Sequence, residues 1–117
     1  MVDAQDGESA LVAGDEFRLV IVSTPDAECA GRLAHGLVQE RLAACVSQVP
    51  GVQSTYRWQG AIESSSEVLL LAKTTAAKLP SLGDWIRKHH PYEVPEIIGL
   101  QLAEVERAYG AWLSNSG

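Results

Sequence analysis

Residues 52–74, VQSTYRWQGAIESSSEVLLLAKT, determine the fold. The first half alternates apolar or aromatic with polar side chains up to Gln59-Gly60, which is typical of a β-strand that ends in a tight turn. A second strand returns from Ile62 to Thr74. The two arms predict a hairpin of about a dozen residues each, longer than the usual strand of ~5–6. Pro50-Gly51 is expected to bend or bulge the first arm.

A strand and an amphipathic helix are predicted before this hairpin. Residues 17–23 (FRLVIVS) are nearly continuously apolar and rich in β-branched side chains, which indicates a central strand. Either Asp26 or Thr24 can cap the next helix, and Glu28 suits the positive end of its dipole. The helical stripe that follows consists of Ala30, Leu33, Ala34, Leu37 and Val38.

A second helix, a strand and a last helix are predicted after the hairpin. The second helix starts between Thr75 and Pro80, because proline fits only a first turn. It ends at His90, because the residue before Pro91 avoids the helical region. The strand covers residues 96–102. The apolar stripes of these three elements are Leu79, Leu82 and Ile86; Ile98, Leu100 and Leu102; and Val105, Tyr109, Trp112 and Leu113.

The predicted order is β-α-β-β-α-β with an extra C-terminal helix, which is the ferredoxin-like α+β plan. The helices are expected on one face of a mixed sheet. A chain of 117 residues cannot also cover the second face, although the central strands are apolar on both sides. Exposed apolar area of that size usually marks an interface. We therefore predict a homo-oligomer.

Composition narrows the classes of function. The chain has 46% hydrophobic residues and a formal charge of −6, with a pI near 4.9. This charge argues against nucleic acid and anionic membranes as partners, and no apolar run approaches the ~18 residues that span a bilayer. Two cysteines and no signal-peptide pattern favour the cytoplasm. We predict a flexible acidic tail over residues 1–15 and a single domain over residues 16–117.

The most unusual stretch for chemistry is residues 89–98, HHPYEVPEII. Two prolines fix a rigid connection that presents two imidazoles, a phenol and two carboxylates. Imidazole with carboxylate suits Zn²⁺ or Cu²⁺. The same stretch also fits a helix end and a strand start whose polar side chains face solvent. The residues alone leave both interpretations open.

Five other side chains are candidates, each with a structural alternative. Cys45 is a potential ligand or a small buried hydrophobe, and Cys29 is expected to be accessible because it lies off the helical stripe. Lys73, at a strand end, can hold an anion or be solvated. Tyr56 and Trp58 can stack on a planar ligand or pack in the oligomer.

Several motifs of enzymes and carriers are missing. The chain contains no GxxxxGK[ST], GxGxxG, CxxC or HExxH pattern. Phosphate cradles, paired-thiol metal carriers and zinc proteases are therefore not indicated. No local Ser-His-Asp or Cys-His arrangement is present either. We expect a protein that is not an enzyme.

Six segments together resemble the CutA family of divalent-cation tolerance proteins, in order, from Phe17 to about Leu113. They are residues 23–26 (STPD), residues 40–46 (ERLAACV), the spaced hairpin positions from Gly51 to Ile62, residues 67–74, residues 90–97 (HPYEVPEI), and Tyr109 with Trp112. The resemblance implies a ferredoxin-like homotrimer, similar to PII signalling proteins, that assembles through the long hairpin. It implies a role in tolerance of copper and other divalent metals, without an established catalytic reaction.

The resemblance also implies a metal site. In some members of the family, metal is held by positions that correspond here to Ser23, His89 and Glu96. Either Cys45 or Cys29 is a candidate for an extra ligand. Because serine replaces a thiolate, weak binding of Cu²⁺ or another divalent metal is expected.

A second hypothesis is a PII-like regulatory module that binds a small anionic ligand in clefts between subunits. The residues expected around such a cleft are Tyr56, Trp58, Lys73, His90, Tyr92 and Glu93.

Overall fold

The structure, a computed structural model, describes residues 9–116. It has a mixed α+β architecture. The strands are β1 (Leu11–Ala13), β2 (Phe17–Thr24), β3 (Cys45–Trp58), β4 (Ala61–Thr75), β5 (Ile97–Gln101) and β6 (Glu104–Glu106). The helices are α1 (Ala27–Gln39), α2 (Leu79–His89), preceded by a 3-10 turn at Ala76–Lys78, and α3 (Arg107–Ser116).

Four strands form the main sheet, in the order β3-β4-β2-β5. Helix α1 connects β2 to β3, and α2 connects β4 to β5, so that each connection crosses over one intervening strand. All neighbouring strands of this sheet are consequently antiparallel, and the prediction of a mixed sheet was wrong. The ferredoxin-like order and the central position of β2 are confirmed.

The two faces of this sheet have different neighbours. Buried residues of β2 and β4 form one core with α1 and α2, and these strand residues are Val20, Val22, Val68, Leu70 and Ala72. Alternate residues point the other way, to a side that we call the open face. Its apolar members in register are Leu19, Ile21, Leu69, Leu71, Ile98 and Leu100. Ile98 and Leu100 are 47% and 42% exposed, so this face is left largely uncovered.

The β3–β4 hairpin has the predicted turn and bulge. Gln59 and Gly60 both have positive φ, at 49° and 81°, as a two-residue hairpin turn with the right twist requires. The register shifts between Val49 and Val52, where Gly51 has φ 74°. The molecule measures 58 × 28 × 21 Å, with a radius of gyration of 16.6 Å, whereas a compact chain of this length has about 13 Å. The hairpin therefore projects beyond the core.

Both main helices begin close to where the sequence indicates. Of the two possible caps for α1, Asp26 is the one used, since its Oδ1 accepts the backbone N–H of Cys29 at 2.8 Å. Pro80 lies in the first turn of α2, where its missing N–H costs no hydrogen bond. Leu82 and Ile86 are buried and Leu79 is partly buried against the same core, which confirms that stripe.

The boundary predicted for the N-terminal tail was wrong. Residues 11–13 form β1, which pairs with β6 and places Val12 opposite Val105. The next residue, Gly14, packs directly against the backbone of Leu102, because a Cβ at this position would lie 2.8 Å from the Leu102 carbonyl oxygen. The ordered domain thus starts before residue 16, because β1 pairs with β6, a short strand that lies near the other end of the sequence. Residues 1–8 of the predicted tail lie outside the described residues.

Helix α3 begins at Arg107, two residues later than the apolar stripe starting at Val105 predicted. Val105 belongs to β6 and packs with Phe17 and Leu113 in a second, smaller core. Gly110 allows α3 to pack closely against Val105, because a Cβ at position 110 would be only 3.0 Å from Val105 Cγ1. Tyr109, predicted to face inward with its neighbour Trp112, instead stacks on Trp112 at the surface, with ring centroids 5.6 Å apart. These elements cover only the Phe17 end of the open face.

Candidate functional site

A concave site lies where the hairpin leaves the sheet. It is a cleft of about 750 Å³ between the hairpin and the loop that follows α2, which we call the acidic cleft. This volume is within the range of small-molecule sites. The lining residues are Ser23, Tyr56, Trp58, Glu63, Ser65, Glu67, Pro91, Tyr92, Glu93, Val94 and Glu96.

The hairpin supplies one wall of the cleft through its register. Tyr56 lies opposite Glu63, and two residues along the same face Trp58 lies opposite Ala61. The bulge near Gly51 makes this possible, because the extra residue brings the even-numbered side chains of β3 onto the face of Glu63 and Glu67. Tyr56 and Trp58 are 43% and 58% exposed, so their rings are accessible from the cleft.

His90 fastens the opposite wall to the sheet. Its imidazole is only 7% exposed, and Nε2 lies 2.8 Å from the carbonyl oxygen of Ser23. Nδ1 accepts the backbone N–H of Tyr92 at 3.1 Å. These two partners assign the proton to Nε2, which donates to Ser23. His90 therefore anchors the loop, and neither of its ring nitrogens is free to face a ligand.

Tyr92 is placed by this anchor in the middle of the cleft wall. Its ring lies 4.9 Å from that of His90, centroid to centroid. Burial, followed by the nearby Glu67 carboxylate and Tyr56, raises the pKa of the Tyr92 phenol. A raised pKa keeps the phenol protonated at neutral pH. Tyr92 thus presents an aromatic face and a hydroxyl group that can donate a hydrogen bond.

The charge of the cleft has one sign. Four of its lining residues are glutamates, at positions 63, 67, 93 and 96, and none is lysine or arginine. The Glu67 carboxylate accepts a hydrogen bond from Ser54 Oγ at 2.5 Å, which fixes its orientation. Carboxylates that share a cleft of this size favour a cationic ligand.

The structure brings most of the predicted site residues together. Ser23 and Glu96, two of the predicted metal ligands, line the acidic cleft with four of the predicted ligand-cleft residues, which are Tyr56, Trp58, Tyr92 and Glu93. Sequence analysis missed Glu63 and Glu67. The signal was present, because a two-residue turn at Gln59-Gly60 pairs Tyr56 with Glu63 across the hairpin.

Lys73 and Cys45 do not line the acidic cleft of the protomer. Cys45 and Lys73 pair with each other across β3 and β4. Ser23 pairs with Leu69, which precedes Lys73 by four residues on β4. Lys73 Nζ donates to Ser47 Oγ at 2.5 Å and lies 3.9 Å from Cys45 Sγ. Four strand residues span about 13 Å, so within one protomer Lys73 lies too far away to supply a counter-charge to the acidic cleft, and Cys45 lies too far away to join Ser23.

His89 is also separated from the cleft. Its ring stacks on Trp85 at 4.1 Å, and Nδ1 donates to the Trp85 carbonyl oxygen at 2.7 Å. Trp85 packs over Gly36 of α1, where a Cβ would lie 2.4 Å from the indole ring. These contacts hold His89 on the helical side, whereas the hairpin wall of the cleft belongs to the open face.

Cys29 is buried rather than accessible, contrary to the sequence-based expectation. It is 3% exposed and belongs to the main core. Desolvation is the main cause that raises the pKa of its thiol, and Arg32 opposes it. A thiol kept protonated by burial is a poor metal ligand.

The donor set of the cleft fits a divalent cation with a preference for oxygen ligands. Over residues 9–116, no three His, Cys, Asp or Glu side chains are close enough to hold a metal ion together. One protomer therefore offers no closed metal site, and a cation in its cleft would keep most of its coordinating water, as in weak sites for hard cations. This donor set suits weak binding better than a closed structural site.

Replacing His90 by Ala will open the cleft and destabilise the fold. The change leaves the Ser23 carbonyl and the Tyr92 N–H without their partner, and each unsatisfied buried group costs about 1–3 kcal/mol. We expect a lower free energy of unfolding in denaturant titration. His89→Ala, which removes the neighbouring imidazole from the surface, is the control and should cost much less. Equal losses in the two variants would contradict the anchoring role.

The fold and the cleft define a class of protein: a ferredoxin-like α+β domain with a long projecting hairpin and an acidic cleft at its base. A family model described as CutA1 divalent ion tolerance protein matches residues 18–116. The chain belongs to this family, as its sequence motifs predicted.

Individual relatives agree with this assignment. The divalent-cation tolerance protein CutA of Thermus thermophilus is 48% identical over 100 residues, which are 85% of this chain and 97% of that protein. Human Protein CutA is 39% identical over 110 residues, 94% of this chain and 61% of the human protein. Among solved structures, CutA from Synechococcus elongatus PCC7942 has a TM-score of 0.89 at 39% identity and covers 92% of this chain and 96% of its own.

The relatives differ in length and in cellular compartment. This chain spans 54% of a relative from Arabidopsis thaliana that is named chloroplastic, and a solved structure from Archaeoglobus fulgidus is titled periplasmic. Within residues 9–116 no helix is long and apolar enough to cross a membrane. The family therefore does not by itself fix the compartment of this protein.

Proposed function

We propose that this protein is a non-enzymatic divalent-cation tolerance protein that binds divalent metal weakly in the acidic cleft. One observation carries the proposal: four carboxylates and no basic side chain line the acidic cleft. The names of the relatives, which refer to tolerance of divalent cations, support the same role. The free thiols of Cys29 and Cys45 support a reducing compartment such as the cytoplasm.

We further propose that the working form is a homotrimer. The open face and the projecting hairpin expose apolar side chains that a monomer does not cover, among them Trp58, Ile98 and Leu100. Since contiguous apolar surface usually marks an interface, a second and third copy of this chain are its proposed partners. Neither nucleic acid nor a membrane surface is proposed, because the chain carries a net charge of −6.

Calorimetric titration with Zn²⁺ and Cu²⁺ tests the metal site. Glu63→Gln with Glu67→Gln removes two cleft charges with little change in shape, and we expect the affinity to fall at least about tenfold, or about 1.4 kcal/mol. Glu16→Gln with Glu104→Gln is the matched control, because it removes two exposed charges that do not line the cleft. Equal affinities in the two double variants would refute the proposal.

Three further measurements separate the competing ligand sets. Ser23→Cys adds a sulfur ligand to the lining of the cleft that Glu96 shares and should strengthen Cu²⁺ binding, because copper prefers soft ligands and itself favours loss of the thiol proton. His89→Ala should leave binding unchanged, since His89 does not line the cleft, whereas the ligand set implied by the family requires a loss. ATP, a probe for the anionic-ligand hypothesis, should not raise the melting temperature. A clear rise with ATP and none with metal would favour the PII-like role instead.

A further inference from the structure

Helix α3 carries two aromatic side chains that the protomer leaves uncovered. Tyr109 and Trp112 stack on each other, with ring centroids 5.6 Å apart, and are 40% and 46% exposed. We call these two residues the α3 pair. Large rings side by side on a surface are typical of a subunit interface, where Tyr and Trp are enriched relative to the rest of the protein surface.

The α3 pair lies at the border of the open face. Helix α3 packs against β4, and its buried Leu113 contacts Phe17, which lies on the open side of β2. Burial is the main cause that raises the pKa of the Tyr109 phenol, and the second cause is the nearby Cys45. Cys45 pairs with Lys73 on the open side of β4. The α3 pair therefore continues the apolar surface of the open face toward the Phe17 end.

The hairpin presents its own uncovered ring at the opposite end of the open face. Trp58 is 58% exposed and precedes the Gln59-Gly60 turn, on the side of the hairpin that continues the open face. It pairs with Ala61, which precedes Lys73 by twelve residues on β4, and this separation corresponds to about 40 Å along the strand. Trp58 and the α3 pair therefore cannot meet within one protomer.

We propose that the hairpin of one copy packs its Trp58 ring against the α3 pair of the next copy. The inference rests on the homotrimer proposed above and names two surfaces that meet in it. A closed ring of three identical subunits is joined head to tail, through two different surfaces of the same chain. Trp58 and the α3 pair meet this requirement, because they lie at opposite ends of the open face and both expose aromatic area. The occupant of the α3 pair is thus a second copy of this chain.

Cysteine cross-linking between copies tests this contact. The variant Trp58→Cys with Trp112→Cys is made in a Cys45→Ser background, which leaves only the buried Cys29 as a native thiol. It is treated with a short bismaleimide and separated on a denaturing gel. We expect covalent trimers, because each copy links to both of its neighbours. Trp58→Cys with Val38→Cys is the matched control and should give few covalent products, since Val38 is 45% exposed but lies on α1, on the helical side.

Truncation of Trp112 tests how much the α3 pair contributes to association. Trp112→Ala should weaken assembly at least about tenfold in sedimentation experiments, because aromatic anchors dominate the energy of many interfaces. Trp112→Phe should lose less, because it retains a ring. In a monomeric variant, Ile98→Asp with Leu100→Asp, the same alanine substitution should change the free energy of unfolding little, since the Trp112 ring is nearly half exposed in the protomer.

The outcomes separate this contact from the trimer itself. A wild-type protein that is monomeric in sedimentation would overturn both proposals. A wild-type trimer in which Trp58→Cys with Trp112→Cys gives no more covalent product than the control would overturn the contact and leave the trimer standing. A Trp112→Ala variant that assembles as tightly as the wild type would do the same.

Discussion

Replacing Ile98 and Leu100 together by Asp will convert the proposed homotrimer into monomers at micromolar concentration. Both side chains are nearly half exposed on the open face of the protomer, so charged replacements do little harm to the isolated fold. In an assembly that covers this face, each variant side chain loses the burial of the part still exposed, about 1 kcal/mol, and each new carboxylate must also be desolvated. The loss for the pair, about 4 kcal/mol, weakens association roughly a thousandfold.

Light scattering and sedimentation measure this effect. Val38→Asp is the control, because Val38 is similarly exposed, at 45%, but belongs to α1 on the helical side. It should remain a trimer. A wild-type protein that is monomeric at the same concentration would contradict the trimer, and an Ile98→Asp, Leu100→Asp variant that stays trimeric would show that the open face is not the interface.

Alanine substitutions of two adjacent leucines of β4 should affect different properties, one the stability of the fold and the other the assembly. Leu70 is fully buried against the helices, whereas Leu71 lies on the open face opposite Ile21. Leu70→Ala leaves a cavity in the core and should lower the free energy of unfolding by about 2–5 kcal/mol. Leu71→Ala should cost the isolated protomer less and mainly weaken assembly.

Chemical denaturation and sedimentation of both variants distinguish these effects. The free energy of unfolding is to be measured at several protein concentrations, because assembly contributes to stability by mass action. If Leu70→Ala weakened assembly and left unfolding unchanged, the assignment of the two faces would be wrong.

The sequence predicted the features that depend on neighbouring residues. The period of two and the Gln59-Gly60 turn are local signals, and they fixed the hairpin and its register. The cap at Asp26 and the proline in the first turn of α2 are local in the same sense. Long-range pairing was not predictable in this way: β1 is only three residues long and exists because β6, some ninety residues later, supplies its partner.

For the candidate site, too, local features were predictable from the sequence and long-range contacts were not. The loop of residues 90–96 was recognised from its composition, but the role of His90 depends on Ser23, which is distant in sequence. Cys29 was expected at the surface because helical spacing alone does not show which elements cover the first turn of α1.

Crystals of the protein soaked in Zn²⁺ give the most direct test of the central claim, that the acidic cleft binds divalent cations. Anomalous diffraction at the zinc edge locates the ion independently of any assumption about its ligands. We expect a peak in the cleft, about 2.0–2.2 Å from a carboxylate oxygen of Glu63, Glu67, Glu93 or Glu96. A peak only at His89 or Cys45, with none in the cleft, would contradict the account.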